Sequence, residues 1–450
     1  MTVTSIISAI GNNSTIYPLL VRDLCIEAPS KILIARRENM KESREIANEA
    51  TREKFIDEYA TSAIWLGGIP ATEALYDKFM VKKGWSPDVN LKLFKEGETV
   101  AKRNAKKATT EVKDIVVQGI EYNIEKFKNI KAKDVQDAVA DLVKVQTNKG
   151  GYEKLLTGKF CAATIIPTVI MGFILPPLNF ALTRKLREKK AAANSLNNQI
   201  QTPAATSFTA IKNDTFKNFS LQDKKEVSFT GSNITSAIAN LRTIDKMAIS
   251  DGGLTVGRVS TSRNKEEAYV NAYRMIGSMI LNFVTPVYIA RGLDKLANGI
   301  FKVNVNLDPL ILDNKKFIEA IQNDSFEMPK SKSAQDIIEF LDEKPNALFS
   351  KFAADMKKVT YLESGYRDPR RYVDIDDMGK FMDEFKNFIK SATSSADITK
   401  FAKKAKFVKG FNILANVGIS SFLLAGVLPK TQYLFNKAVT GSYLDPGLRK

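Results

Sequence analysis

The sequence predicts an all-α, mainly helical membrane protein built of two related halves, and two observations carry this prediction. Residues 160–182 and 410–429 are uncharged runs of about 20 residues, long enough for a helix to cross a bilayer core. Both runs end on similar sequences, LPPLNFALTRK at 175–185 and LPKTQYLFNKA at 428–438. In each, Leu-Pro precedes an amide, an aromatic residue and a cation. Matching ends on two such runs predict a duplicated two-segment helical unit.

Two further apolar segments, residues 60–75 and 275–290, share this form. Each has a proline near its end and an amphipathic continuation, so in all four the proline is expected to kink or end the helix. The helix-kink and repeat marks are Pro70, Pro176, Pro286 and Pro429. At 16 residues each, the two added segments are shorter than a usual span. The alternatives for these two segments are embedding in the membrane, as spanning, re-entrant or interfacial helices, and amphipathic helices of a protein core.

Spacing along the chain favours an internal repeat. Pro70 and Pro286 lie 216 residues apart, as do the two VNL sequences at 89–91 and 305–307. The Leu-Pro ends follow at a spacing of 253 residues. Features in the same order at nearly one spacing predict duplication, whereas the alternative is chance recurrence of common residues.

The predicted organisation is two halves joined by a polar linker at 183–250, which is rich in Ala, Asn, Ser, Thr and Gln. The helical periodicity of the regions between the apolar segments predicts two polar helical regions. The first half, 1–182, comprises an embedded segment near 60–75, a polar region at 81–158 and a spanning helix at 160–182. The second half, 251–450, comprises an embedded segment near 275–290, a polar region at 310–408 and a spanning helix at 410–429.

Composition narrows the function classes. The chain has 450 residues, a formal net charge of +17 and no histidine, which excludes Ser-His-Asp and Cys-His catalysis. Its two cysteines, Cys25 and Cys161, predict neither a disulfide framework nor a Cys-based zinc site. No nucleotide, cofactor or nucleic-acid motif is recognised, so no cofactor and no nucleic-acid partner are expected. The basic excess favours acidic surfaces such as anionic lipid.

The N-terminus lacks a basic region before its brief apolar stretch, so no cleaved signal peptide is expected. The abundance of Lys, Ile and Asn indicates an AT-biased coding sequence and favours a bacterial origin. The predicted location is therefore a membrane, crossed more than once, with the lipid bilayer as the main partner. Self-association and partner helices are further expectations.

Cations flank both long apolar runs and are candidates for binding lipid head groups: Arg184, Lys185, Arg187, Lys189, Lys190, Lys403, Lys404 and Lys406. The alternative is ordinary flanking charge that anchors helix ends. The first cluster follows its run and the second precedes its run, so parallel halves would place the clusters on opposite sides. Lys and Arg that flank membrane helices usually lie on the cytoplasmic side. By this charge rule, either the halves are inverted or one cluster lies in a long loop, where the rule is weak.

Two acidic features are weak site candidates. Asp374, Asp376 and Asp377 resemble the start of an EF-hand loop, but Met378 and Phe385 stand where ligands would complete it. The alternative is that Asp376 and Asp377 cap the helix that follows. Glu73 is an ionisable group in an apolar segment and marks either an ion pathway or the segment's interfacial end.

The predicted function is non-enzymatic: a structural, lipid-organising or transport-like membrane protein. Repeats and proline-broken helices favour transport, whereas the few spans and the lack of a charge pair within the apolar runs count against it. One alternative is a pore-forming or membrane-inserting effector that is soluble before insertion, which the mean hydropathy of −0.18 would suit. The other is an Asp/Glu-based metal-dependent enzyme using residues 368–384.

Overall fold

The computed structural model describes residues 3–11, 20–94, 117–199, 243–301 and 307–449. Within these ranges the regular elements are helices, and the single β-type contact is an isolated bridge between Tyr361 and Arg367. The all-α prediction is therefore confirmed for the part of the chain described. Three predicted features lie wholly or partly outside it: residues 95–116 of the polar region 81–158, residues 200–242 of the linker, and Val305 and Asn306 of the second VNL sequence.

Four long helices dominate the fold, and a five-residue π-helical turn interrupts each of them. Helix I consists of α3 (Arg44–Ala63), π2 (Ile64–Gly68) and α4 (Ile69–Lys82). Helix II consists of α7 (Lys149–Val169), π3 (Ile170–Ile174) and α8 (Leu175–Gln199). Helix III consists of α10 (Lys265–Met279), π4 (Ile280–Val284) and α11 (Thr285–Phe301). Helix IV consists of α17 (Ile398–Phe422), π5 (Leu423–Val427) and α18 (Leu428–Thr440).

The π turns have a common cause in the sequence. Each ends two residues before a proline, at Pro70, Pro176, Pro286 and Pro429. Proline has no N–H to donate, and its ring clashes with the carbonyl four residues earlier. A wider turn directly before the proline relieves that clash while the helix continues. A fifth turn, π1 (Val21–Glu27), precedes Pro29 and α2 (Ala28–Met40) in the same way.

The remaining helices are shorter or amphipathic. They are α1 (Val3–Gly11), α5 (Ile120–Phe127), α6 (Lys133–Thr147), α9 (Thr243–Ser260), α12 (Pro309–Leu312), α13 (Lys315–Gln322), α14 (Ala334–Glu343), α15 (Leu348–Asp355) and α16 (Ile375–Thr393), followed by a 3₁₀ turn at Pro446–Leu448. Helices α12 to α16 enclose a core rich in phenylalanine, in which Phe317 and Phe385 are fully buried. The predicted cap of α14 forms, since the Ser333 hydroxyl accepts a hydrogen bond from the Asp336 N–H at 3.1 Å.

Helices I and II form one antiparallel hairpin, and helices III and IV form another. In the first hairpin, Arg187 near the end of helix II reaches Glu49 near the start of helix I. At the opposite end, Lys159 pairs with Asp77 at 2.5 Å. In the second hairpin, Tyr273 of α10 stacks on Phe435 of α18 with ring centroids 4.7 Å apart. The polar helical regions lie together at the hairpin ends, where Gln118 bonds the backbone of Val373.

The two hairpins run in the same direction, because the starts of helices I and III meet. Arg263, just before α10, pairs with Glu53 of α3, and Arg274 of α10 lies 3.6 Å from Asp57 of α3. The cation clusters at 184–190 and 400–409 consequently lie at opposite ends of the bundle. The second cluster follows a polar region of more than 60 residues, a loop length at which the charge rule is weak. Parallel halves and the flanking charges are thus compatible.

A short helix precedes each hairpin and packs against the other one. Helix α2 lies against α3 and also against π5 and α18 of the second hairpin. Helix α9 lies against α10 and also against α7 and π3 of the first hairpin. Each half therefore contributes a short helix that packs against the hairpin of the other half.

Three helices are long and apolar enough to cross a membrane: Lys149–Ala193, Lys265–Ala297 and Ile398–Thr440. They contain the predicted segments 160–182, 275–290 and 410–429. The segment 60–75 lies in helix I, which is not among them in the described part of the chain. The ends of the predicted linker differ from the prediction, because α8 continues to Gln199 and α9 begins at Thr243. Alanine-rich sequence after Arg184 favours that helical continuation.

Candidate functional site

A cavity of about 100 Å³ lies between the two hairpins at the level of their π turns. Four of the five turns border it: π1 through Asp23 and Glu27, π2 through Trp65, π4 through Asn282, and π5 through Leu428, the residue after it. The remaining turn, π3, packs against α9, whose Asp251, Leu254 and Arg258 complete the wall. Wide turns are concentrated where helices must open around a site. The cavity is therefore a product of the proline-broken helices.

A chain of alternating charges crosses the cavity wall from π1 to α3. Arg22 Nε lies 3.3 Å from Asp23 and 2.9 Å from Glu27. Lys31 then bridges Glu27 at 3.0 Å and Glu58 at 3.3 Å. Lys54 continues the chain to Glu58 at 3.0 Å. Buried charges are costly unless each has a partner of opposite sign, and the alternation supplies one to every member.

A second ionic cluster joins the two halves. The Arg258 guanidinium of α9 lies 2.6 Å from the Asp57 carboxylate of α3 and donates to the Thr61 hydroxyl at 2.7 Å. Arg274 of α10 approaches the same carboxylate at 3.6 Å. One carboxylate from the first half thus holds two cations from the second. These contacts tie the hairpins together at the cavity.

Asp251 is the exception in this arrangement. In the described residues, no hydrogen bond or ion pair reaches its carboxylate, although it lines the cavity. Burial and the nearby Asp23 raise the pKa of Asp251 to about 7. Burial and the nearby Glu27 likewise raise the pKa of Asp23 to about 7. Both carboxyl groups therefore change charge close to neutral pH.

Two buried N–H groups of the cavity wall also lack acceptors among the described residues. They are the indole Nε1–H of Trp65 and the Nε–H of Arg258, in side chains of residues only 6% exposed. The Asn282 Oδ1 atom is a third buried polar atom without a partner there. An unpaired buried donor costs about 1–3 kcal/mol, which a bound polar group offsets. The wall is therefore prepared for a polar occupant.

A second cavity of about 90 Å³ lies next to the first, towards one end of the bundle. The two cavities share Lys54, Arg258, Arg274, Gln432 and Tyr433. The second is also lined by Glu53 and Arg263, which lie where helices I and III begin. The second cavity therefore lies on the side of the first that faces the bundle end with the 184–190 cluster.

Close contact between backbones holds α9 in place. The Cα atom of Gly172 in π3 would lie 2.7 Å from a Cβ atom added to Gly257 of α9. One turn earlier, the Thr168 hydroxyl hydrogen bonds that of Ser250 at 2.7 Å. Small residues at such a crossing let two helices approach closely. The contact fixes the position of Asp251, which is next to Ser250 in the chain.

The predicted site residues lie away from this cavity. Asp374, in place of the expected Asp376 or Asp377, caps α16 by accepting from the Asp377 N–H at 3.1 Å, and Asp377 pairs with Lys358 at 2.6 Å. No group of three potential metal ligands occurs among the described residues. Glu73 pairs with Lys246 of α9 at 2.6 Å.

The lipid candidates divide into paired and unpaired cations. Arg187 hydrogen bonds Glu49 at 2.9 Å, and Lys406 pairs with Asp313 at 2.6 Å. The side chains that are exposed and have no ion pair to a described residue are Arg184, Lys185, Lys189, Lys190 and Lys403.

Sequence reasoning missed the charged cavity because it searched for charges inside the apolar runs. The acids and bases of α3 and α10 instead precede those runs, where the sequence reads as ordinary helix. A signal was present: Glu53, Asp57 and Glu58 occupy one stretch of α3 directly before residues 60–75. Comparisons with protein-family models, curated proteins and solved structures found no match to this chain.

Proposed function

We propose that this chain is an integral membrane protein of transport-like function, with the charged cavity as the binding site for a small polar solute or ion. The observation that carries the proposal is the position of the cavity: helices from both halves open around it at their π turns. Discontinuous helices that meet at a central polar site are the arrangement by which transporters bind solutes inside a bilayer. A purely structural role would not require a cavity with unpaired donors.

The proposed membrane placement follows from the surface of the helices. Exposed apolar side chains on helices II, III and IV include Ile166, Phe173, Ile280, Leu414 and Phe422. A lipid environment removes the cost of exposing such a surface to water. The charged side chains near these helices face the cavity instead, as ionisable groups inside a membrane do.

The proposed duplication gains support from packing. Each half consists of a short helix, a proline-broken helix, a polar region and a second proline-broken helix. The short helices α2 and α9 are exchanged symmetrically between the halves. Duplication of one hairpin unit, with a pseudo-twofold axis along the bundle, accounts for both the sequence spacing and the exchange. The two halves can then move relative to one another around the cavity.

Cysteine labelling tests whether water reaches the cavity at membrane depth. Ser278 lines the cavity, whereas Ile276, two residues earlier in α10, is 53% exposed on the outer surface. In a chain with Cys25→Ser and Cys161→Ser, we expect Ser278→Cys to react with a membrane-impermeant maleimide. Ile276→Cys should not react in a bilayer, because a thiol facing lipid does not ionise.

Two exposed markers assign the side of entry in sealed vesicles. Lys190→Cys reports the bundle end to which the second cavity leads, and Lys315→Cys reports the polar regions. We expect Ser278→Cys to be labelled from the same side as Lys190→Cys. Equal labelling of Ser278→Cys and Ile276→Cys, or none of either in membranes, would contradict the proposal. Release of the chain by alkaline carbonate would favour the effector that is soluble before insertion.

Anionic lipid is the proposed partner of the unpaired cations at one bundle end. We expect phosphatidylglycerol to raise the thermal unfolding midpoint more than phosphatidylcholine does, because each cation near an anionic surface contributes about 1 kcal/mol. Replacing Arg184, Lys185, Lys189 and Lys190 by Gln should abolish that difference. The matched control replaces four exposed lysines of the polar region, Lys315, Lys316, Lys380 and Lys386. If both variants lose the difference between the two lipids equally, the effect is a nonspecific one of net charge.

A further inference from the structure

We propose that Asp251, with Asp23 beside it, is a proton-binding site in the charged cavity. The proposed role of the site, coupling solute movement to protons, rests on the transport-like function. Proton binding itself does not, because it can be measured on the purified chain without any transport.

The balance of charges around the cavity singles out Asp251. On the α2 side, Arg22 and Lys31 are engaged by Glu27, and Lys31 also by Glu58. On α3, Lys54 is engaged by Glu58. Every one of these cations already has a carboxylate within 3.3 Å.

The remaining cations are engaged as well. Arg258 of α9 and Arg274 of α10 share the Asp57 carboxylate of α3. Among the described residues, Asp251 is thus the carboxylate of the cavity that has no cation in contact, and Asp23 has only Arg22, at 3.3 Å. A half-buried carboxylate without a cation in contact is neutralised most simply by a proton.

The surroundings favour a proton over a metal ion. Arg22, Lys31 and Arg258 lie close enough to interact electrostatically with Asp251, and their positive charges would repel a metal cation. A metal ion would also need several oxygen ligands, and no group of three potential ligand residues occurs in the described ranges. A proton needs one carboxylate oxygen and no coordination shell.

The unpaired donors of the wall supply the second observation. The Trp65 and Arg258 N–H groups are buried in the same cavity as the two acids. A water molecule accepting from such a donor can in turn donate to a carboxylate, and a cavity of about 100 Å³ has room for several waters. Water bound in this way would place a proton carrier next to Asp251.

Infrared titration of the purified full chain in detergent tests the site. Burial also raises the pKa of Glu384, in the distant polar region, to about 7, so the titration uses a Glu384→Gln background. We expect a carboxylic-acid C=O band that disappears with a midpoint near pH 7. Asp251→Asn should remove part of the intensity of this band. Asp23→Asn should remove the part that belongs to Asp23 and move the midpoint of the remainder to lower pH, because a neighbouring negative charge is lost. Asp137→Asn, an exposed acid in α6, should change nothing.

The same variants give a second readout through stability. A carboxyl group whose pKa is raised from 3.8 to about 7 by folding makes stability fall as pH rises across that interval. We expect Asp251→Asn to raise the thermal unfolding midpoint most at pH values above 7, less near pH 5, and not at all below the ordinary pKa of 3.8. Titrating intensity that is unchanged in Asp251→Asn, or the absence of any such band, would overturn the proposal. A midpoint that falls in sodium chloride but not in choline chloride would assign the site to sodium instead.

If the infrared and stability results hold while Ser278→Cys is not labelled, the proton site stands and the transport-like function fails. If labelling succeeds and Asp251 does not titrate, the cavity is accessible to water but binds no proton at this residue. The two proposals are therefore tested separately.

Discussion

Arg258→Met is expected to lower the free energy of unfolding in detergent by about 3–5 kcal/mol. Arg258 is 6% exposed and lies 2.6 Å from Asp57, so its loss leaves a buried carboxylate with only the more distant Arg274. The desolvation cost of that carboxylate is then no longer offset. Chemical unfolding followed by circular dichroism measures the change.

A surface pair of equal length provides the control. Lys332 and Asp383 are also 2.6 Å apart, but their side chains are 52% and 46% exposed. Lys332→Met should therefore cost only about 0–1 kcal/mol. The double variant Arg258→Met, Asp57→Asn should recover much of the loss, because it removes the unpaired charge. Similar losses for the buried and the exposed pair would show that the cavity ions are solvated and carry little structural weight.

Gly257→Ala is expected to destabilise the chain by about 1–3 kcal/mol, although alanine is the better helix former. A Cβ atom at this position would lie 2.7 Å from the Cα and 2.8 Å from the carbonyl carbon of Gly172. Both are backbone atoms of π3, which cannot turn aside as a side chain can. The substitution must therefore push α9 away from π3 and disturb the cavity wall at Asp251.

Gly252→Ala in the same helix is the matched control. A Cβ atom there meets nothing within 4 Å, so the intrinsic preference for alanine should stabilise the chain by about 0.5–1 kcal/mol. Stability changes of opposite sign for the same substitution in one helix isolate the effect of the backbone contact. Thermal unfolding midpoints of both variants measure the effect, and equal signs would indicate that α9 does not pack closely on π3.

The sequence predicted the long helices because their signals are local. An uncharged run, a proline and an amphipathic continuation act within one segment, so the positions of Pro70, Pro176, Pro286 and Pro429 already marked where each helix is interrupted. The sequence did not predict that the interruption would be a wide turn and not an end. That outcome depends on neighbouring helices, which hold the chain on its course beyond the proline.

The ends of the linker were less predictable for a related reason. Asn, Ser and Gln at 194–199 favour a loop by composition, yet α8 continues to Gln199. Composition reports average tendency, whereas a helix already begun propagates at little cost through residues such as alanine. The relative direction of the two hairpins was likewise not predictable, because contacts between distant segments determine it.

By itself, the sequence determined the helical class, the four interrupted helices and the absence of histidine-based chemistry, because each follows from local composition and spacing. Only the tertiary structure decided the candidate site. Asp23, Lys31, Glu58, Arg258 and Asp251 come from π1 and three helices, α2, α3 and α9, spread over more than 220 residues of chain. The role of each charge depends on its partners, and among the described residues Asp251 has no ion-pair partner. Pairing of this kind depends on how helices from the two halves pack, which no local pattern encodes.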